Sequence, residues 1–148
     1  MVFISHLIKY YNLKKRIKRN EGFKSSYYFD SLGHATIGYG HLIKKNEQHL
    51  LNKKFSKKFL LNLFELDFKK AVLDYNRNYL KNHFEKNIQY FLIEMIFQLG
   101  IVSQKKFKKM NYYLKKRSVY MACLEMKDSL WYKQTPKRVD FLIGILLK

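Results

Sequence analysis

Two carboxylates, a threonine and two histidines fall in one glycine-rich stretch, Glu21 to His41, EGFKSSYYFDSLGHATIGYGH. Acidic residues are scarce in this chain, 11 against 30 basic, so a glutamate and an aspartate nine positions apart stand out. Such a pair is equipped for general acid–base chemistry on a glycosidic bond. One carboxyl protonates the leaving oxygen and a second carboxylate serves the opposite face. The acid must hold its proton near neutral pH, which requires burial or a suppressed charge. Glu21 falls where a helix ends and a hairpin begins, a junction that often lines a cleft. Asp30 falls at the end of the first strand or in the turn. Thr36 lies on the returning strand, where its hydroxyl is placed to orient a water beside Asp30. Each also has a plainer reading: Glu21 as a surface charge at a helix end, Asp30 as a turn former, Thr36 as a strand residue.

The elements that must position these groups are legible from patterning. Residues 5–19 carry Leu7, Ile8, Tyr11 and Ile17 among many Lys and Arg, which predicts a basic amphipathic helix packing one face on the core. A membrane-surface helix is the alternative. Tyr27–Phe29 favours strand, Ser31–His34 a turn, and Ala35–Tyr39 a second strand. Gly38 and Gly40 alternate with apolar residues, which points to a bulge or a close approach by a ligand. Residues 44–55 read as a polar loop with at most a short strand or helical turn. Ser56 then caps a long helix over residues 57–80. A helix over 85–99 ends at Gly100. Ser103 is expected to cap a helix carrying Phe107, Met110 and Leu114, and Ser118 another through Met126. Thr135–Pro136 opens the last helix. The expected fold class is α+β and mainly helical, in one domain: an N-terminal helix over 1–20, a β lobe over 21–55, a linking helix over 56–80, and a helical lobe over 81–148.

The formal net charge of +19 implies a polyanionic partner such as nucleic acid, an anionic membrane or a phosphate-bearing bacterial envelope. AT-rich coding is a bland source of the same excess. No RNA-recognition signature, zinc finger or helix-turn-helix accompanies the charge, so nucleic-acid binding is the secondary reading. Cys123 is the single cysteine, which excludes an intrachain disulfide and suits a reducing cytoplasm. At the N-terminus the apolar residues precede the charges, the reverse of a secretory signal. No cofactor is expected, and no metal, since no second histidine sits at ligand spacing from His41.

The pattern Glu-x8-Asp-x5-Thr-x-Gly-x-Gly-His resembles the catalytic hairpin of tailed-phage-type lysozymes, a family of endo-muramidases. Two further motifs share the resemblance. Trp131 to Arg138, WYKQTPKR, is similar to the family's W-Y-x-Q-T-P-x-R, and Phe97–Gly100 to its F-Q-x-G. Together they span most of the chain, in family order and at family spacing. The resemblance implies a phage-lysozyme-like fold with a small β-hairpin lobe joined by a long helix to a helical lobe.

It also implies roles. Glu21 is similar to the general acid, and Asp30 to the carboxylate that activates water or stabilises the cation. Thr36 matches the hydroxyl beside that water, and Arg138 the arginine that pairs with the catalytic glutamate. An ion pair between His41 and Asp67 would tie hairpin to helix. Gly40, Leu42, Phe97 and Gln98 match positions that line the sugar cleft, with Trp131 supporting Gln98. The implied activity is inverting hydrolysis of the β-1,4 bond between N-acetylmuramic acid and N-acetylglucosamine. It would be carried out on bacterial peptidoglycan by a monomer made in the cytoplasm and released to the wall. The alternative is a cationic nucleic-acid- or membrane-binding protein on a lysozyme-like scaffold. The chain departs from the family pattern between His41 and Asp67, where it is shorter, and at Met110 and Glu125, which stand at cleft-edge positions.

Overall fold

The computed structural model describes residues 8–148. Whatever was expected of residues 1–7, including the start of the first helix and the order of charges at the N-terminus, lies outside the described residues. The chain divides into two compact units, Met1–Lys70 and Ala71–Lys148. Among the described residues no helix is long and apolar enough to cross a membrane. The fold is mainly helical with one small antiparallel sheet, the class expected.

In the first unit, helix α1 (Tyr11–Glu21) precedes a three-stranded sheet in the order β1 (Lys24–Phe29), β2 (Ala35–Gly38), β3 (His41–Leu42). Leu13 and Ile17, one turn apart on α1, are fully buried, while Lys15 and Arg19 face out. The long helix α2 (Lys57–Tyr79) follows a short 3-10 segment, Lys45–Leu51. Ser56 caps α2 as expected, its Oγ accepting from the Phe59 N–H at 3.1 Å. Two small cores hold this unit. Ile37, Leu50 and Leu60 fasten the sheet to α2. Tyr10 meets Phe68 edge-on at 5.6 Å, and Lys14 reaches Glu65 at 2.6 Å, which fastens α1 to the same helix.

In the second unit, α3 (Lys86–Leu99) is buried almost all round, as befits a central helix. It is accompanied by α4 (Ile101–Lys105), α5 (Lys108–Lys115), α6 (Val119–Lys127), α7 (Leu130–Gln134) and α8 (Pro136–Leu146). The Gly100 N–H closes α3 on the Ile96 carbonyl at 2.8 Å, the expected stop. Three expectations need correction. Ser103 caps nothing, because it lies inside α4. The chain breaks at Phe107, whose ring is drawn edge-on against Trp131 at 5.9 Å, and α5 starts only after it. Ser118 and Thr135 do occupy cap positions, but neither side chain bonds a helix N–H. The Thr135 hydroxyl instead donates back to the Trp131 carbonyl at 3.1 Å. Met110, matched to a cleft edge, is a core residue at 1 % exposure.

Candidate active site

The hairpin brings its polar residues to one face by strand alternation. Tyr28 pairs directly with Thr36, and Thr36 with Leu42, so these three side chains share a face. Asp30, two residues beyond Tyr28, falls on the same side just past the end of β1. Ile37 and its partner His41 point the other way, towards α2.

The turn itself is built by Asp30. Its Oδ1 accepts the backbone N–H groups of Leu32 at 2.9 Å and His34 at 2.8 Å. The Asp30 N–H donates to the His34 carbonyl, and the Gly33 N–H donates to the Asp30 carbonyl, both at 2.9 Å. Gly33, at φ +82°, turns the left-handed corner of the three-residue loop Ser31–Gly33. The side chain is thereby fixed with one oxygen, Oδ2, outside the turn, 3.5 Å from His34 Nδ1. Thr36 is buried, and its hydroxyl donates to the same His34 carbonyl at 3.0 Å. The hydroxyl proton is thus engaged, and the Oγ lone pairs remain as acceptors.

Glu21 is the last residue of α1, which the Gly22 N–H closes on the Lys18 carbonyl at 3.0 Å. The half-buried carboxylate lies against Gly40. A Cβ built there would sit 2.5 Å from Glu21 Oε2, and φ is +79°, so only glycine fits on both counts. Gly38, similarly, lies against Leu60 of α2. The close approaches expected at these glycines are therefore made by side chains of the protein itself. Tyr28 lies in the field of both carboxylates. Burial pushes its phenol up from the ordinary range, and the charges of Glu21 and then Asp30 push it further in the same direction. Glu21, Tyr28 and Asp30 thus form one electrostatic cluster, with Thr36 beside it.

On the opposite face His41 is held at both ring nitrogens. Nδ1 is 2.7 Å from Asp67 Oδ2 on α2, and Nε2 is 2.9 Å from Glu47 Oε2. Burial works against the charged imidazole, but the hydrogen bonds and charges of Asp67 and Glu47 outweigh it, and His41 is raised above its ordinary value. Glu47 is correspondingly lowered. Desolvation opposes this, and the Lys44 N–H and His41 overcome it. This clamp joins β3, the 3-10 segment and α2. It sets the register of the sheet on the helix.

The remaining residues matched by the resemblance lie in the second unit. The Trp131 indole N–H donates to Gln98 Oε1 at 3.2 Å, and its ring, 4 % exposed, packs against Phe91 and Phe107. Trp131 is therefore a support for Gln98. Gln98 and Phe97 stay part-exposed at the end of α3, and Leu42 of the first unit is exposed. Arg138 Nη2 lies 3.8 Å from Oε1 of Glu94, a fully buried carboxylate in the middle of α3.

The model of the phage lysozyme family matches residues 18–144. The chain belongs to the phage lysozyme family. It is 31 % identical to probable T4-type lysozyme 2 of Dictyostelium discoideum, covering 90 % of this chain and 92 % of that one. Probable T4-type lysozyme 1 of the same organism is 28 % identical, over 91 % and 93 % of the two chains. The pre-baseplate central spike protein Gp5 of Enterobacteria phage T4 is 26 % identical over 92 % of this chain, but that is 28 % of its own length. As a phage lysozyme family member the chain is a glycoside hydrolase. Sequence reasoning missed three groups of this phage lysozyme family chain. Glu47 was hidden in a segment without periodicity, although an acid six residues after His41 in so basic a stretch was a usable signal. Glu94 was hidden in an apolar helical run, where an unmatched carboxylate is itself the signal. Tyr28 read only as a strand residue.

Proposed function

We propose that the chain is a muramidase that hydrolyses the β-1,4 bond between N-acetylmuramic acid and N-acetylglucosamine in bacterial peptidoglycan. The observation that carries the reading is the family match, joined to a hairpin that sets Asp30 and Thr36 at one sheet face and Glu21 against Gly40. Glu21 acts as general acid on the leaving oxygen. Its carboxyl is held against Gly40. Asp30 Oδ2 accepts one hydrogen of the attacking water. Thr36 Oγ1, its own proton engaged by His34 O, accepts the other. A water held by both hydrogens presents a lone pair to the anomeric carbon. Attack from the face opposite the leaving group inverts the configuration. Leu42, paired with Thr36 on the same sheet face, contacts the sugar beside that water. The basic surface concentrates the enzyme on an anionic envelope, an effect that salt weakens.

The test is clearing of purified peptidoglycan by wild type and Glu21→Gln, with mass analysis of the products. Wild type should clear and release hydrated reducing ends, and Glu21→Gln should be slower by about 10²–10⁴-fold. Anhydro ends would show that no water attacks and would overturn the roles of Asp30 and Thr36. Clearing by both proteins at equal rates would overturn the role of Glu21.

A further inference from the structure

We propose that the outer face of α5 is a docking site for the bacterial wall, binding a phosphodiester polymer that peptidoglycan carries. The choice of a wall polymer rests on the reading of the chain as a peptidoglycan hydrolase. Between Glu94 and Glu125 the chain has no acidic residue and seven basic ones. Arg117 is taken up by the fold. Its Nη2 donates to the Asn82 carbonyl at 2.7 Å, and its guanidinium lies over the Phe84 ring at 4.8 Å. The other six are exposed lysines, in pairs at 105–106, 108–109 and 115–116. Among the described residues none of the six makes an ion pair with a carboxylate.

Helical periodicity groups four of these lysines about one ring. Tyr112, 56 % exposed, has Lys108 and Lys109 one turn before it and Lys115 and Lys116 one turn after it, all facing out. Met110, Asn111 and Leu114 take the buried side of the same helix. The Tyr112 ring stands edge-on to Tyr113 at 5.4 Å, with Lys116 Nζ 5.9 Å above it. The first pair burdens the fold. Lys108 and Lys109 open α5, at the end where the helix dipole disfavours cations, with no acid in the first turn and no capping side chain. Charge placed where it costs stability points to a partner outside the chain.

Spacing and composition choose that partner. The pairs 108–109 and 115–116 lie ~10 Å apart along the helix axis. They suit a row of charges rather than one small anion. Lysine supplies point charges that phosphate accepts. An anionic bilayer would call for several apolar side chains to insert. Single-stranded nucleic acid would call for a run of rings to stack its bases. Among the described residues of α5, Tyr112 is the one exposed apolar side chain. A single ring among four lysines fits a chain of phosphates joined by sugar or polyol units. The ring lies against such a unit, and its hydroxyl donates to a phosphate.

The test is co-sedimentation of the full chain with cell walls that carry such a polymer, and with the same walls after acid extraction has removed it. Two variants are compared with wild type. One is Lys108→Gln/Lys109→Gln/Lys115→Gln/Lys116→Gln. The other removes the same charge from exposed lysines elsewhere, Lys54→Gln/Lys57→Gln/Lys58→Gln/Lys69→Gln. Wild type should bind polymer-bearing walls about tenfold more tightly than extracted ones, a preference that salt weakens. The α5 variant should lose the preference and the control variant should keep it. An α5 variant that keeps the preference would overturn the proposal. So would a control that loses it equally, since net charge alone would then suffice. Wild type that shows no preference, yet binds phosphatidylglycerol vesicles or oligothymidylate through the same lysines, would assign the face to another polyanion and overturn it too. The α5 variant should melt no lower than wild type, and a fall would mean that the lysines serve the fold instead. Failure of the underlying reading looks different: wild type and the α5 variant would both leave extracted peptidoglycan uncleared, whatever they bind.

Discussion

The β1–β2 hairpin with the helix end before it, in the first unit, and the core of the second unit handle polar groups in opposite ways. In the first, the hairpin carries Asp30, its side chain 29 % exposed, and a half-buried Glu21, oriented by backbone N–H groups and a glycine. In the second, polar groups are deep and matched to one another. The Tyr79 hydroxyl donates to Gln104 Oε1 at 2.5 Å, and Gln104 Nε2 donates to Asn111 Oδ1 at 2.8 Å. Glu94, fully buried, faces Arg138. A carboxylate left within reach of water is available for proton transfer. One enclosed with its partner specifies packing, because any other arrangement would leave it unmatched. The hairpin therefore reads as chemistry resting on little core, and the helical unit as a core that polar matching makes specific.

The comparison breaks most visibly at Asp30. Asp30→Asn keeps an oxygen to accept the turn's N–H groups but cannot take a proton from water. Activity should fall by about 10²–10⁴-fold with little change in melting temperature. A large loss of stability would mean that the hairpin carboxylate is structural after all. Glu94→Ala should do the reverse. Removing one partner of a buried pair should cost roughly 3 kcal/mol, the low end of the usual range because Arg138 keeps some access to solvent. A urea midpoint measures it. Gln104→Ala strands the Tyr79 hydroxyl and the Asn111 amide, and about 1–3 kcal/mol should go with them, read from the same titration.

The smallest effect is a pH dependence of the first unit. His41 is raised above its ordinary 6.5, so its contribution is fully present below that value and is lost as the pH rises through the folded-state one. Glu47 is lowered from 4.5, so its contribution is fully present above 4.5 and is lost as the pH falls through the folded-state value. The clamp is therefore strongest between those ordinary values. His41→Gln should flatten the alkaline side of a melting-temperature profile, because the variant has no imidazole to lose its proton there.

Much of this was legible in the chain because local chemistry decided it. Ser56 caps because a hydroxyl precedes a long apolar period, and Asp30 turns the chain because its side chain can bond N–H groups two and four residues on. The hairpin strands followed from their aromatic and β-branched residues. What was not legible depended on pairings that periodicity does not report. The break at Phe107 answers to Trp131, and the idle cap at Thr135 answers to the turn before it. Glu47 acquires its meaning only when the 3-10 segment folds back onto His41 of β3. Phe107 and Trp131 lie far apart in sequence, and the other two pairs are neighbours that only the course of the backbone brings together.

One consequence follows from the helix that runs unbroken from Lys57 to Tyr79. Its first part carries Leu60 and Asp67, fixed by the sheet, and its last residue carries the hydroxyl that enters the Gln104 chain. The boundary between the units falls inside it, between Lys70 and Ala71. A helix loses its hydrogen bonds from the ends first. The amides at that boundary, deep in the helix, should therefore exchange more slowly than those of its first and last turns, which native-state hydrogen exchange measures.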